Sequence, residues 1–329
     1  MGESHWQPRT GLDNIRRRAE VLEQVRSFFS EKGVLEVETP LLSRYTVTDP
    51  FISSIEIPKL AALEGASTYL QTSPEYAMKR ILAAYGAELD GVFQICKAFR
   101  NDASSVRHNP EFTMLEWYRL GFSMQALMAE VEDLLRVIYA QQGHKLEIRH
   151  QSYQSLFEEV FSINPHRADR TQLQTLAAPW LPADSSGLDK KDLLDLLFSF
   201  GIEPVLVQYP AIFVSDYPES MSALAQLKVD GKQGFTSASR FELYLNGLEV
   251  ANGYHELLEP AEHLTRFEAD QHRREILNLP AHEIDPRFMA AIESGLPDCS
   301  GVALGLDRLL MVLSQQPIGG VISFPTLDA

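Results

Sequence analysis

Apolar residues recur at helical spacing from Asn14 to Lys32 (Ile15, Val21, Leu22, Val25, Phe28, Phe29), and Gly33 closes the run as a C-cap would. The chain is therefore expected to open with a helix. Val34 to Pro40 reads as a short strand, and Pro40 confines it to an edge or an end of pairing. Thr72, Ser73, Pro74 and Glu75 combine capping hydroxyls, a proline suited to a first turn and an acid suited to the helix dipole, so a second helix is expected from here through Ala84.

Gly91 to Arg100 and Phe112 to Arg119 are both strand-like, and the polar loop between them, Asn101 to Asn109, is too long for a tight hairpin. Phe241 to Glu256 carries Asn246-Gly247 between β-formers, a strong local signal for a two-residue hairpin turn. Ser300 to Gly305 is small and extended, and Leu306, Leu309, Leu310 and Leu313 mark one face of a closing helix. The order is helix, antiparallel strands, a mainly helical stretch around residues 125–200, more strands and a last helix. That order predicts an α+β fold, organised as one domain over residues 1–329 with a helical insertion.

The hydrophobic fraction of 45% is that of an ordinary globular chain, and no apolar run is long enough for a signal peptide or membrane span, so a cytoplasmic protein is expected. A net charge of -16 opposes a large footprint on a nucleic-acid backbone, although a local basic patch stays open. Cys96 and Cys299 lack metal-ligand spacing and read as reduced, buried thiols.

Candidate chemistry lies on a few faces. Gln94, Cys96, Ala98 and Arg100 alternate along one strand, so small residues and then a cation share a side. On the returning strand Phe112, Met114, Glu116 and Tyr118 align an aromatic plate, an acid and a phenol; a half-buried sheet with a salt-bridged acid is the plainer alternative. Arg308 sits in the first turn of the closing helix, where a cation is unfavourable unless an anion such as phosphate intervenes or Asp307 neutralises it. Glu249 and Glu256 fall on opposite faces of a regular strand. A bulge within Ala251-Asn252-Gly253 would re-aim one of them, and two convergent carboxylates could then hold Mg²⁺ against a triphosphate.

Five stretches carry a family resemblance: Val34-Leu35-Glu36-Val37-Glu38-Thr39-Pro40, Thr72-Ser73-Pro74-Glu75, Phe99-Arg100-Asn101, Arg107-His108-Asn109-Pro110-Glu111-Phe112-Thr113-Met114 and Gly305-Leu306-Asp307-Arg308. They resemble the three class II motifs and the lysine-pocket segment of bacterial lysyl-tRNA synthetases. The resemblance runs from about Asn14 to Pro325 and matches the catalytic half of that family, with no counterpart of its OB-fold anticodon-binding domain. It implies a class II synthetase catalytic fold, an antiparallel sheet flanked by helices, in a stand-alone paralogue.

Carried over residue by residue, the resemblance implies that Arg100 holds the α-phosphate of ATP, Arg308 the γ-phosphate, and that Phe112 stacks on adenine. Asn101, Asp102, His108, Asn109, Glu249, Val250 and Gly305 would complete the nucleotide site. Ser73, Glu75, Glu116, Tyr118 and Glu256 would line the amino-acid pocket, with Glu249 and Glu256 also approaching Mg²⁺ and Pro40 lying in a homodimer interface. The implied substrate is lysine or β-lysine, (R)-β-lysine by preference, and the implied acceptor a lysine ε-amino group of elongation factor P, tRNA being disfavoured.

Three departures from the synthetase pattern bear on this. Asp102 replaces a Glu, Ala303 stands where the family carries Gly, and Ala261 falls where it has another acid; the last two argue against plain α-lysine. A truncated enzyme that charges tRNA and a non-catalytic amino-acid sensor are the competing expectations.

Overall fold

The first amphipathic run folds as α1 (Leu12–Glu31), burying Val21, Gln24, Val25, Phe28 and Phe29, and Gly33 takes the left-handed φ of +68° that ends it. The structure is a computed structural model and describes residues 6–58, 67–181, 187–229, 231 and 234–329. Next come β1 (Leu35–Glu36), β2 (Leu42–Ser43), β3 (Glu56–Ile57), β4 (Thr68–Leu70), α2 (Glu75–Tyr85), β5 (Gly91–Phe99) and β6 (Glu111–Leu120). The strand expected over Val34 to Pro40 is only two residues long: Leu35 and Glu36 pair in parallel with Val92 and Phe93, and Val37 adds one more backbone bond to Phe93. The proline at position 40 cannot donate to a ladder, which fits this early end.

The chain continues through α3 (Met124–Gln141), β7 (Ile148–Ser152), α4 (Tyr153–Phe161), α5 (Arg170–Ala177), α6 (Lys190–Leu197), α7 (Glu203–Leu206), β8 (Ala211–Pro218), β9 (Leu227–Val229), β10 (Thr236–Leu245) and β11 (Leu248–His255). It closes with α8 (Pro260–Ile276), α9 (Pro286–Glu293), β12 (Cys299–Gly305) and α10 (Leu306–Ser314). The α+β expectation is met. The stretch read as mainly helical is interrupted by β7, whose sequence Ile-Arg-His-Gln-Ser has no apolar alternation because it pairs in parallel with β8 while half exposed. No helix among the described residues is long and apolar enough to cross a membrane.

These elements form two compact units. The first comprises residues up to Gly121, Leu258–Asp298 and Ala303–Ala329; the second comprises Phe122–Leu257 and Cys299–Val302. In the first, β5 and β6 run antiparallel with Gln94 opposite Glu116, Cys96 opposite Met114 and Ala98 opposite Phe112. Opposed residues share a face, so the two candidate faces read from the sequence are one surface. Beneath these strands Phe29 stacks on Phe93 at 4.6 Å and meets Trp117 edge-on at 5.2 Å, which ties α1 to the sheet. Across the unit α2 packs on α9, with Tyr76 stacked on Phe288 at 4.1 Å.

In the second unit β10 and β11 form the expected hairpin, with Asn246 and Gly247 at φ 49° and 75°, as a two-residue turn with both centres left-handed requires. Strands follow the order β11-β10-β8-β7, with β9 also on β10. The helices α4, α5 and α6 cover one side through Tyr153, Phe157, Leu173, Leu193, Leu194 and Leu197.

The expected bulge exists one position earlier than the small residues suggested. Leu243 faces Ala251 whereas Tyr244 faces Glu249, so Val250 is the extra residue. That single insertion restores parity, and Glu249 falls on the same face of β11 as Asn252, Tyr254 and, continuing the alternation, Glu256. Both cysteines are free thiols; Cys299 is buried as expected, but Cys96 is only partly covered.

Candidate active site

Arg100 directly follows β5, and its backbone N–H donates to the Pro110 carbonyl at 2.9 Å, which fixes where the strand gives way to the polar loop. Its guanidinium lies 5.4 Å from the centre of the Phe112 ring, within cation–π reach, and its Nε is buried without a hydrogen-bond partner. A strong donor left unmet in this way is costly unless something else arrives to accept from it.

Arg308 stands in the first turn of α10 and meets His108, Nη2 to Nε2, at 3.0 Å. Such a contact requires a neutral imidazole, and partial burial, with Arg308 and other cations, lowers the His108 pKa below its usual value. Ser105 holds the other ring nitrogen at 3.0 Å, so the loop is folded back on itself rather than trailing. The neutralisation of Arg308 by Asp307 is not what the fold provides. Asp307 is buried, pairs with Arg18, and accepts from the Thr113 backbone N–H at 2.6 Å.

The residues on α2, β6 and the turn before α2 that were expected to line an amino-acid pocket also meet. Glu116 is buried and accepts two hydrogen bonds, from Ser73 Oγ and from the Tyr118 hydroxyl, each 2.7 Å long. Its partners are a serine and a phenol rather than a cation, so the salt-bridged alternative does not apply. Burial above all, and then the nearby Glu75, push the Glu116 pKa up to about 8 in spite of those two donors. Ser73 also accepts from the Glu75 backbone N–H at 3.0 Å, and Lys79 donates to the Glu75 carboxylate at 2.6 Å.

The remaining expected residues divide. Asn101 and Asp102 are exposed in the loop, with Asn101 N–H bonded to the Ser53 carbonyl at 2.7 Å. Asn109 is buried and used at both ends of its amide, donating to the Glu111 carbonyl at 2.6 Å and accepting from Thr326 N–H at 3.1 Å, so its side chain braces the loop. Gly305 is the N-cap of α10. Glu249, Val250 and Glu256 belong to the second unit, where the bulge at Val250 turns both carboxylates to one face. Among the described residues no group of three or more His, Cys, Asp or Glu side chains forms a metal cage. A two-carboxylate set suits an ion that keeps waters and phosphate oxygens for most of its shell.

Sequence reasoning missed Lys79 and the Arg18–Asp307–Thr113 brace. Lys79 stands four residues after Glu75, a helical spacing that brings the two side chains together, and this signal was readable. Nothing local links residues 18, 113 and 307.

Comparison with known proteins bears on this arrangement. The family model described as tRNA synthetases class II (D, K and N) matches residues 8–328. Proteins named elongation factor P--(R)-beta-lysine ligase are similar over nearly the full length: that of Haemophilus influenzae (strain PittGG) is 43% identical over 99% of both chains. Those of Edwardsiella ictaluri (strain 93-146) and Klebsiella pneumoniae (strain 342) are each 44% identical, over 97% and 98% of both chains.

Proposed function

This chain belongs to the class II tRNA synthetases of the D, K and N group, and we propose that it activates (R)-β-lysine with ATP and ligates it to a lysine ε-amino group of elongation factor P. The observation that carries the reading is the convergence in the first unit of Arg100, Phe112, His108 and Arg308, beside a strand whose same face presents Glu116.

In the first step the amino acid's carboxylate attacks the α-phosphorus of ATP in line, and the bond to the pyrophosphate oxygen breaks. The products are an aminoacyl adenylate and pyrophosphate. In the second the acceptor amine attacks the carbonyl of the mixed anhydride, AMP leaves with the bonding electrons, and the amine proton passes to solvent, leaving an amide. No protein nucleophile is needed. Arg100 stabilises charge developing on the α-phosphate, Arg308 holds the γ-phosphate, and Phe112 stacks on adenine, with Asn101, Asp102, His108, Asn109, Val250 and Gly305 completing the nucleotide site.

Ser73, Glu75, Glu116, Tyr118 and Glu256 receive the amino acid, their carboxylates suiting a substrate with two ammonium groups. Glu249 and Glu256 are the residues we assign to Mg²⁺, which when bound would neutralise triphosphate charge. The protein acts in the cytoplasm as a homodimer. An open, mostly apolar groove of about 480 Å³ around Pro40, lined also by Ala77, Ile81 and Ala84, supports a second copy at that face.

The decisive experiment incubates the purified protein with ATP, each lysine isomer, and either elongation factor P or tRNA, then weighs the products. A mass gain on elongation factor P with β-lysine supports the reading; aminoacylated tRNA alone replaces it with the synthetase alternative.

A further inference from the structure

Lys79 is a costly residue where it stands. Its side chain has no solvent exposure, and a buried ammonium loses hydration that ion pairing only partly returns. Its neighbour Met78 is equally buried, so an apolar chain of similar length is accommodated on the same turn of α2. Packing alone would therefore favour methionine at position 79 as well. A pair at this spacing adds little to a helix even where both side chains are fully hydrated, so helix stability does not account for it either.

The hydrogen bonds point elsewhere. Lys79 Nζ reaches Glu75 Oε1 at 2.6 Å; the Glu75 backbone N–H donates to Ser73 Oγ at 3.0 Å; Ser73 Oγ donates to Glu116 Oε2 at 2.7 Å; and Tyr118 donates to the other Glu116 oxygen. The side chain of Glu75 is 21% exposed whereas that of Lys79 is sealed, so the ammonium grips the acid from behind and leaves it open in front. On α8 the ring that faces Lys79 is His263, which feels the charge of Lys79 and, more weakly, of Glu75 and Arg266. His263 is fully buried, gives Nδ1 to the Glu259 carbonyl at 3.1 Å, and is held neutral by burial and by Lys79 itself, with a pKa near 4.

We propose that Lys79 is a positioning residue for amino-acid recognition: it fixes the carboxylate of Glu75 at the mouth of the pocket, so that this acid, ordered and charged, meets a substrate ammonium. The inference rests on the reading above for what the pocket binds, but its positional part does not. Lys79 acts through Glu75 and touches no reacting atom. Its removal should therefore weaken amino-acid binding and spare ATP.

The test is a double-mutant cycle of Lys79→Met and Glu75→Gln, read by ATP–pyrophosphate exchange with whichever lysine isomer the parent protein activates. Lys79→Met is expected to raise KM for the amino acid at least tenfold while KM for ATP stays within twofold. Lys79→Arg, which keeps the charge, should recover most of that loss. On the Glu75→Gln background, Lys79→Met should add less than a twofold effect. Multiplicative losses, an unchanged amino-acid KM, or tighter binding in Lys79→Met would each overturn the proposal. If Lys79→Met does not fold, Lys79→Gln, which removes the charge but keeps a polar end, supplies the same cycle against Glu75→Gln. Crystal structures of the parent and Lys79→Arg or Lys79→Met proteins decide the positional claim even if no lysine isomer is activated. An unmoved Glu75 side chain in Lys79→Met defeats it, whereas a parent inactive with every lysine isomer counts against the functional reading alone.

Discussion

The Asp307 carboxylate takes a 2.6 Å hydrogen bond from the backbone N–H of Thr113, a residue nearly two hundred positions earlier in the chain. Its other oxygen pairs with Arg18, so both are engaged away from Arg308, the next residue. The first turn of α10 is thereby clamped to β6, and Arg308 is left at the positive end of a helix with a neutral histidine as its neighbour. A cation at a helix N-terminus works against the dipole, and on the reading proposed above a phosphate would offset that cost.

Cutting that clamp should cost stability as well as activity. Asp307→Ala is expected to destabilise the protein by about 3 kcal/mol, the lower end of the range for breaking a buried pair because Arg18 retains some water contact. Urea denaturation measures it, and a loss below about 1 kcal/mol would contradict the role given to Asp307.

Arg100→Ala and Arg308→Ala test the phosphate assignments. Each should lower ATP–pyrophosphate exchange by on the order of a hundredfold or more, about 3 kcal/mol of transition-state stabilisation, with the circular dichroism spectrum unchanged. Near-normal exchange in either variant would remove that arginine from the mechanism.

Glu116 sets a pH dependence. Its pKa stands near 8, well above the usual carboxylate value, so at pH 7 its carboxyl holds a proton that, on the reading proposed above, a substrate ammonium must displace. Binding of the diamine acid at pH 7 should release about one proton, at a cost of about 1.4 kcal/mol for a pKa one unit above the pH. Affinity should accordingly rise with pH and level off above about 8. Titration calorimetry in buffers of different ionisation enthalpy reads the proton directly, and Glu116→Gln should abolish its release. For stability the sign is the reverse. The folded state favours the protonated form, so this group's contribution is fully present below about 4.5 and is lost as pH rises through about 8.

Gly253 on β11 leaves room for other groups. A Cβ there would lie 2.5 Å from the Phe241 ring and 3.0 Å from the Gly301 carbonyl oxygen. Gly253→Ala should therefore destabilise the second unit by about 1–3 kcal/mol, as overpacking does, visible as a lower Tm with separate loss of near-ultraviolet signal.

Much of this protein was legible in one dimension because its signals are local. The period of α1, the breakpoints of α2, β5, β6 and α10, and the Asn246-Gly247 turn depend on residues within a few positions of one another, and each was found within one or two residues. The alternation along each strand likewise put Gln94, Cys96, Ala98 and Arg100 on one face of β5 and its end, and Phe112 and Glu116 on one face of β6, and the pairing then made the two faces one surface. What the tertiary structure alone decided are matters of register and of charge. The extra residue at Val250 is defined only by its partners on β10, and it alone brings Glu249 round to the face of Glu256. Which proton Glu116 keeps, and why Asp307 does not quench Arg308, follow from burial and from contacts between residues far apart in the chain. A sequence states the charges; only the packed chain sets how much water each retains and which opposite charge it meets.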